Sequence, residues 1–213
     1  MQEALSNNTI TKDELKAMDP SDKNLAKFYM TFKGHKPHTP MTAPPPRPII
    51  SGKESITENI GIYVKNYLKE ISNKHSSYLQ DTPHFLREID QINRGPKLPI
   101  NAILATFDIT GAYTNIPQED GVQCLTEATD NTNKASFVVK LMELILQHNL
   151  FEFHETAWRQ EIGTAMGVPP APSYANIYLD RRIDNLIRKL AKDLAEQNKD
   201  GDSCLILFKS FFG

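Results

Sequence analysis

The chain is poor in cysteine and has no long apolar run, and each scarcity removes a class of protein. Its two cysteines, Cys124 and Cys204, are far apart and neither belongs to a CxxC pair. A disulfide-stapled scaffold and a cysteine-rich zinc site are therefore disfavoured, and two free thiols in a reducing compartment are expected. No stretch approaches the roughly 20 apolar residues of a membrane span. The first 27 residues are polar and charged, without the apolar centre of a secretory signal, so a nuclear or cytoplasmic location is expected. Histidine offers little either. His35 and His38 lack partners at zinc spacing, and His154-Glu155 does not open an HExxH motif because position 158 is Trp158.

What is present is enough apolar content, 39% of 213 residues, to bury a real core. The net charge of −2 conceals a segregation: six Lys or Arg residues and no Asp or Glu lie between Lys23 and Lys53. A local basic stripe of this kind suits a phosphate-binding surface whatever the overall charge, the plainer alternative being a solvated loop.

Along the chain, residues 1–26 carry only a weak helical pattern around DELKAM and read as a ragged, partly disordered lead-in. Two extended pieces, FYMTFKGHK at 28–36 and RPIIS at 47–51, flank a proline-dense connection and predict a hairpin. Taken alone, APPPRP is also the kind of polyproline segment an adaptor domain binds. Residues 55–73 predict a helix with a Ser55/Glu58 capping box and an apolar face of Ile56, Ile60, Tyr63, Val64, Tyr67, Leu68 and Ile71. A second helix is predicted over 82–93, with Thr82 as its cap, Pro83 at its first position and a stop at Gly95-Pro96. After a short helix begun by Pro117, another over 134–147 presents Phe137, Val138, Leu141, Met142, Leu144 and Ile145. Residues 150–162 change to a period near two and predict a hairpin turning near Glu155 and Thr156. A long helix then starts near Pro172 or Ser173 and runs towards Gln197.

The stretch FDITGAYTNI, residues 107–116, carries the chemistry. AILATFDI, residues 102–109, reads as a buried strand ending in Asp108. An ionised carboxylate there needs compensation, and a divalent cation gives it most completely. Taken alone, Asp-x-x-Gly is better read as an aspartate capping the turn opened by Gly111.

That order of strand, Asp, spacer and aromatic resembles the first catalytic motif of reverse transcriptases, and TGAYTNIP resembles the Penelope-like retroelement group most closely. The resemblance implies that Asp108 and the main-chain carbonyl of Ile109 hold two Mg²⁺ ions and that Tyr113 is the gate beneath the nucleotide sugar. FYMTFKGHKP with RPIISG resembles the fingers hairpin of the same enzymes, which implies that Lys33, Lys36 and Arg47 bind the triphosphate. Here Phe32 and Gly34 flank Lys33, where the family has proline before it and an apolar residue after it. GTAMGVPPAPSYANIYL resembles the motif in which Met166 and Gly167 lie under the template base and nascent pair. Val168-Pro169-Pro170 replaces the more usual Ser-Pro-Leu, with loss of a hydroxyl.

The resemblance implies an α+β fold with two regions, a lead-in over 1–26 and a polymerase domain over 27–213 made of fingers and an incomplete antiparallel palm sheet backed by helices. Its partners would be an RNA or DNA template with primer and deoxynucleotide triphosphates, and no membrane. The pair of adjacent aspartates that completes the family's metal site does not occur in the sequence. By the resemblance, the remaining palm, the thumb and an endonuclease domain would follow, and the chain alone is expected to be inactive. The alternative is a catalytically dead remnant that at most binds nucleic acid; an adaptor ligand displaying APPPRP is a third possibility.

Overall fold

The computed structural model describes residues 1–20, 24–34, 44–97, 109, 111–187 and 189. It is a mixed α+β arrangement, a four-stranded mixed sheet backed by helices. Strands β1 (Ala26–Phe32), β2 (Pro46–Ser51), β3 (Leu150–Phe153) and β4 (Thr156–Arg159) lie in the order β2-β1-β3-β4. The hairpin β1–β2 is antiparallel, with Phe28 opposite Ile50 and Thr31 opposite Arg47. Pro46, Arg47 and Pro48 are thus strand residues, and this half of APPPRP is not a free polyproline segment.

An antiparallel sheet is expected, and the four-stranded sheet is instead mixed, because β1 and β3 run parallel, Ala26 facing Phe151. Local pattern cannot reveal that pairing. It is carried by aromatic packing across the join, where the Phe28 ring lies 5.0 Å from Phe153 in an edge-to-face contact and 5.7 Å from Phe151. The β3–β4 turn falls at His154 and Glu155, one residue earlier than predicted. Both have positive φ, 50° and 59°, as a two-residue turn matched to strand twist requires, although neither is the usual Asn or Gly. The strand predicted at 102–109, including Asp108, lies outside the described residues apart from Ile109. So do Lys36, Cys204 and the C-terminal apolar stretch.

The first 18 residues, expected as a lead-in, form two short helices, α1 (Gln2–Ser6) and α2 (Lys12–Ala17). They contribute Ala4, Ile10 and Met18 to the main core. A complete capping box starts α2: Thr11 Oγ1 accepts from the Glu14 N–H at 3.1 Å, and the Glu14 carboxylate accepts from the Thr11 N–H at 2.8 Å. No such box forms at α3 (Glu58–Ser72). Ser55 instead donates to the Gly52 carbonyl at 2.6 Å, and Glu58 accepts from the N–H of Glu54, so the helix starts three residues later than expected. Ile56 consequently precedes the helix and is exposed, while Val64 and Leu68 are fully buried.

Helix α4 (Thr82–Arg94) is capped by Asp81, which accepts from His84 N–H at 2.7 Å, and Thr82 is already its first residue. A single turn, α5 (Ala112–Asn115), precedes α6 (Gln118–Ala128), for which Pro117 is the cap position and not the first residue. Helix α7 (Asn133–Gln147) buries Val138, Leu141, Met142 and Ile145 as predicted, but Leu144 is exposed. Helix α8 (Ala171–Leu179) continues into a π-helical turn, Asp180–Asp184. Among the described residues no helix is long and apolar enough to cross a membrane. Cys124 is buried on α6, and its desolvated thiol is pushed up to about 11, which suppresses thiolate chemistry.

Two packing details are testable. The α6–α8 contact depends on Gly121, where an added Cβ would lie 1.7 Å from Tyr174 Oη and 2.5 Å from its Cζ. Tyr174 is wholly buried and cannot swing away. Gly121→Ala is expected to lower stability by roughly 1–3 kcal/mol in urea denaturation. Tyr174→Phe, which removes a buried hydroxyl without a hydrogen-bond partner among the described residues, is expected to be neutral or stabilising.

The second concerns pH. Hydrogen bonds from Arg182 hold Asp120 below the usual carboxylate range, and the hydrogen bond from Lys134 does the same for Glu14. Carboxylates with depressed folded pKa values contribute stability that is complete above their unfolded values and is lost as pH falls through the folded ones. Both side chains are about one-third exposed, 35% and 32%, so solvent screens the effect. The urea midpoint is expected to fall between about pH 5 and pH 3, and less steeply in an Asp120→Asn, Glu14→Gln variant; equal slopes would remove these pairs as the cause.

Candidate nucleotide site

The site is assembled around residues 163–168, which lie between two separate parts of the chain. Gly163 and Gly167 have φ of +75° and +116°, which side-chain-bearing residues rarely adopt. On one side the Thr164 N–H donates to the Tyr113 carbonyl at 2.7 Å, and Gln118 Nε2 donates to the Gly163 carbonyl at 3.1 Å. On the other, the N–H groups of Ile50 and Gly52 donate to the carbonyls of Met166 and Gly167 at 2.9 and 3.2 Å. The hairpin, the Tyr113 turn and the Met166-Gly167 loop are far apart in sequence and meet here through backbone hydrogen bonds.

Tyr113 owes its position to Gly111, which enters α5 in the left-handed region at φ 63°. Its ring is half-buried against both the main core and the smaller cluster of Ala26, Ile50, Ala165, Val168 and Ala171. That burial pushes its phenol above the ordinary tyrosine range. A ring held this way is rigid enough to act as a steric boundary. Ile109 is exposed nearby in the sequence, and Met166 is half-buried.

Directly opposed residues of a β-pair share a face. Arg47 therefore shares its face with Thr31 and, by alternation, with Tyr29 and Lys33, whose N–H extends the ladder to the Pro45 carbonyl at 3.0 Å. Arg47 is exposed and Lys33 half-buried. Ile50 and Phe28 leave the hairpin from the other face, the one that packs towards Tyr113. Tyr113, Met166 and Gly167 are thus brought together, while the Lys33–Arg47 pair projects from the opposite side of the same hairpin.

The described residues add no carboxylates for a pair of metal ions. Among them no three His, Cys, Asp or Glu side chains gather into a metal-holding group. Asp120 is committed to Arg182 through hydrogen bonds of 2.7 and 2.9 Å, and Glu119 is exposed on the first turn of α6. The contributors to the site that sequence reading missed are Gln118, Gly163 and Thr164. Only the two glycines flanking TAM hint at them in the sequence; nothing local marks Gln118 as reaching 45 residues along the chain.

Fold and site together define a mixed α+β domain in which a glycine-bracketed loop joins a β-hairpin to an aromatic turn. No protein-family model matches the chain, and no curated protein matches it.

An alanine Cβ at position 167 would lie 2.6 Å from the Ile50 carbonyl oxygen, on a backbone already at φ +116°. Gly167→Ala is expected to lower stability by roughly 1–3 kcal/mol and to speed amide exchange at Ile50 and Gly52. Gly34→Ala is the matched control, because no described residue lies within 4 Å of its added Cβ. Equal effects of the two changes would show that the loop does not depend on Gly167.

Proposed function

We propose that the chain forms the fingers and part of the palm of a template-directed nucleotidyltransferase resembling the reverse transcriptases of Penelope-like retroelements. The observation that carries this reading is the convergence of its three motif-bearing stretches. Ile50 and Gly52 bond to Met166 and Gly167, and Thr164 bonds to Tyr113. Stretches that resemble one family's motifs need not adjoin if the likeness is accidental.

In this reading the partly buried Tyr113 ring bounds the space beneath the nucleotide sugar, and the Met166-Gly167 backbone forms the floor under the base pair. Gly167 is exposed, so its main chain is open to a base, while the space of its missing side chain is taken by the Ile50 backbone. The resemblance assigns Lys33, Lys36 and Arg47 to neutralising the triphosphate and the departing pyrophosphate. Lys33 and Arg47 project from the hairpin face opposite the one against Tyr113, so that assignment rests on the resemblance and not on their placement. Asp108 and the Ile109 carbonyl would hold Mg²⁺, which when bound lowers the barrier to in-line displacement at the α-phosphate. Asp108 is one carboxylate where two ions about 4 Å apart need several, so the chain by itself is proposed to bind nucleotide and not to extend a primer. The rival reading is a remnant that binds nucleic acid without catalysis.

Titration with a fluorescent deoxynucleotide triphosphate, with and without Mg²⁺, and with a primer-template over a range of salt separates these readings. Mg²⁺-dependent nucleotide binding is expected to disappear in Asp108→Ala. In Lys33→Gln, Arg47→Gln it is expected to weaken about tenfold, and the salt slope for primer-template to fall by about one for each phosphate no longer neutralised. Primer-template binding without Mg²⁺-dependent nucleotide binding would favour the remnant. Binding of neither would remove the polymerase reading.

A further inference from the structure

We propose that Gln118 is a positioning residue that holds the Gly163–Thr164 peptide against Tyr113 and thereby sets the spacing between the Tyr113 ring and the Met166–Gly167 backbone. The inference rests on the polymerase reading for what that spacing selects, the sugar of a nucleotide. The carbonyl of Gly163 and the N–H of Thr164 belong to one planar peptide unit. Gln118 Nε2 donates to its carbonyl at 3.1 Å, and its N–H donates to the Tyr113 carbonyl at 2.7 Å. A single plane is therefore gripped from both ends by residues of the α5–α6 junction.

The grip is close and its base is firm. At Gly163 an added Cβ would lie 2.5 Å from the Tyr113 carbonyl oxygen and 2.6 Å from Thr114 Cα, so the two backbones touch with no side chain between them. Gln118 is the first residue of α6, and α6 is fixed by the burial of Cys124 and Leu125 and by the bonds from Arg182 to Asp120. The far end of the loop is fixed separately, to Ile50 and Gly52 at the end of β2. Release of Gly163 would leave a loop attached at 166–167 and free to pivot, carrying with it Ala165 and Val168 of the cluster against which Tyr113 packs. An uncharged amide suits this task. It donates to a carbonyl without adding a charge that would itself attract phosphate.

The test compares the wild-type chain with Gln118→Ala, Gln118→Glu and Gln118→Lys by two readouts: amide exchange at Thr164, and the ratio of dATP to ATP affinity in Mg²⁺. Loss of the donor in the Ala variant, and its replacement by an ionised acceptor in the Glu variant at neutral pH, are expected to speed Thr164 exchange by about tenfold. Exchange at Val64, Leu68 and Met142 in the core should stay unchanged. The same two variants are expected to lose most of the preference for the deoxynucleotide, and Gln118→Lys, which restores a donor of similar reach, is expected to recover both readouts. A purely structural role would not move the sugar ratio. Unchanged Thr164 exchange in Gln118→Ala overturns the proposal, as does an unchanged ratio in an assay where Tyr113→Ala shifts it. If the wild-type chain binds neither nucleotide while Thr164 exchange responds to Gln118, the polymerase reading fails and the selective role falls with it. If it binds both and only the exchange is unmoved, the polymerase reading stands and Gln118 is excluded.

Discussion

An edge strand presents N–H groups on its outer side, and each must find an acceptor or water. On β2 this demand is met in two ways. Ile50, and Gly52 just past the strand, donate outward to Met166 and Gly167. By the two-residue alternation the nitrogens of Pro48 and Pro46 face the same way, and proline has no donor to leave unpaired. The inward positions Arg47, Ile49 and Ser51 pair with β1. The outer edge of the hairpin is thus closed over its length by prolines at one end and a loop at the other. That closure fixes the site, because the loop covering the edge is the one that grips Tyr113.

Gly163 and Gly167 make this double attachment possible. The first brings the loop into backbone contact with Tyr113 and Thr114, and the second brings it against the Ile50 carbonyl. Both approaches are tighter than a Cβ would permit. The small cluster of Ala26, Ile50, Ala165, Val168 and Ala171 then fills the space between sheet and helices with small and branched side chains. Tyr113 touches this cluster and the main core alike, so the ring is supported from two sides.

The helical layer is tied by polar contacts as well as by its core. Lys134 lies 2.5 Å from the Glu14 carboxylate and 5.3 Å from the Tyr63 ring centre, joining α2, α7 and α3. Arg182 joins the π-helical turn to α6 through Asp120 and Glu127. Along the other side of α8, Asn176, Asp180 and Asp184, spaced by four, meet Ser72, His75 and Ser77 in turn. The partly exposed pairs at Glu14, Asp120 and Glu127 add little individually, whereas Ser72, Ser77 and Asp184 are buried. Together they tie α2 and residues 72–77 to the helices they touch.

The sequence by itself determined the elements whose signal is local. The hairpins β1–β2 and β3–β4 follow from alternation and nearby turns, and α3, α4 and α7 follow from apolar spacing close to the helical period. Val64 with Leu68 and Val138 with Met142 were legible as core for that reason. Caps were less so, since Asp81 and Thr82, or Ser55 and Thr57, offer competing oxygens within a few residues and only the chain path decides between them. The Thr11-x-x-Glu14 box is legible, but α2 is only six residues long and is held by the flanking Ile10 and Met18 packing in the main core, which no local pattern shows. Tertiary structure alone decided the parallel β1–β3 pairing, the side of the hairpin from which Lys33 and Arg47 project, and the contact of Gln118 with Gly163. Each depends on where two segments distant in sequence come to lie, and no periodicity within either segment encodes that.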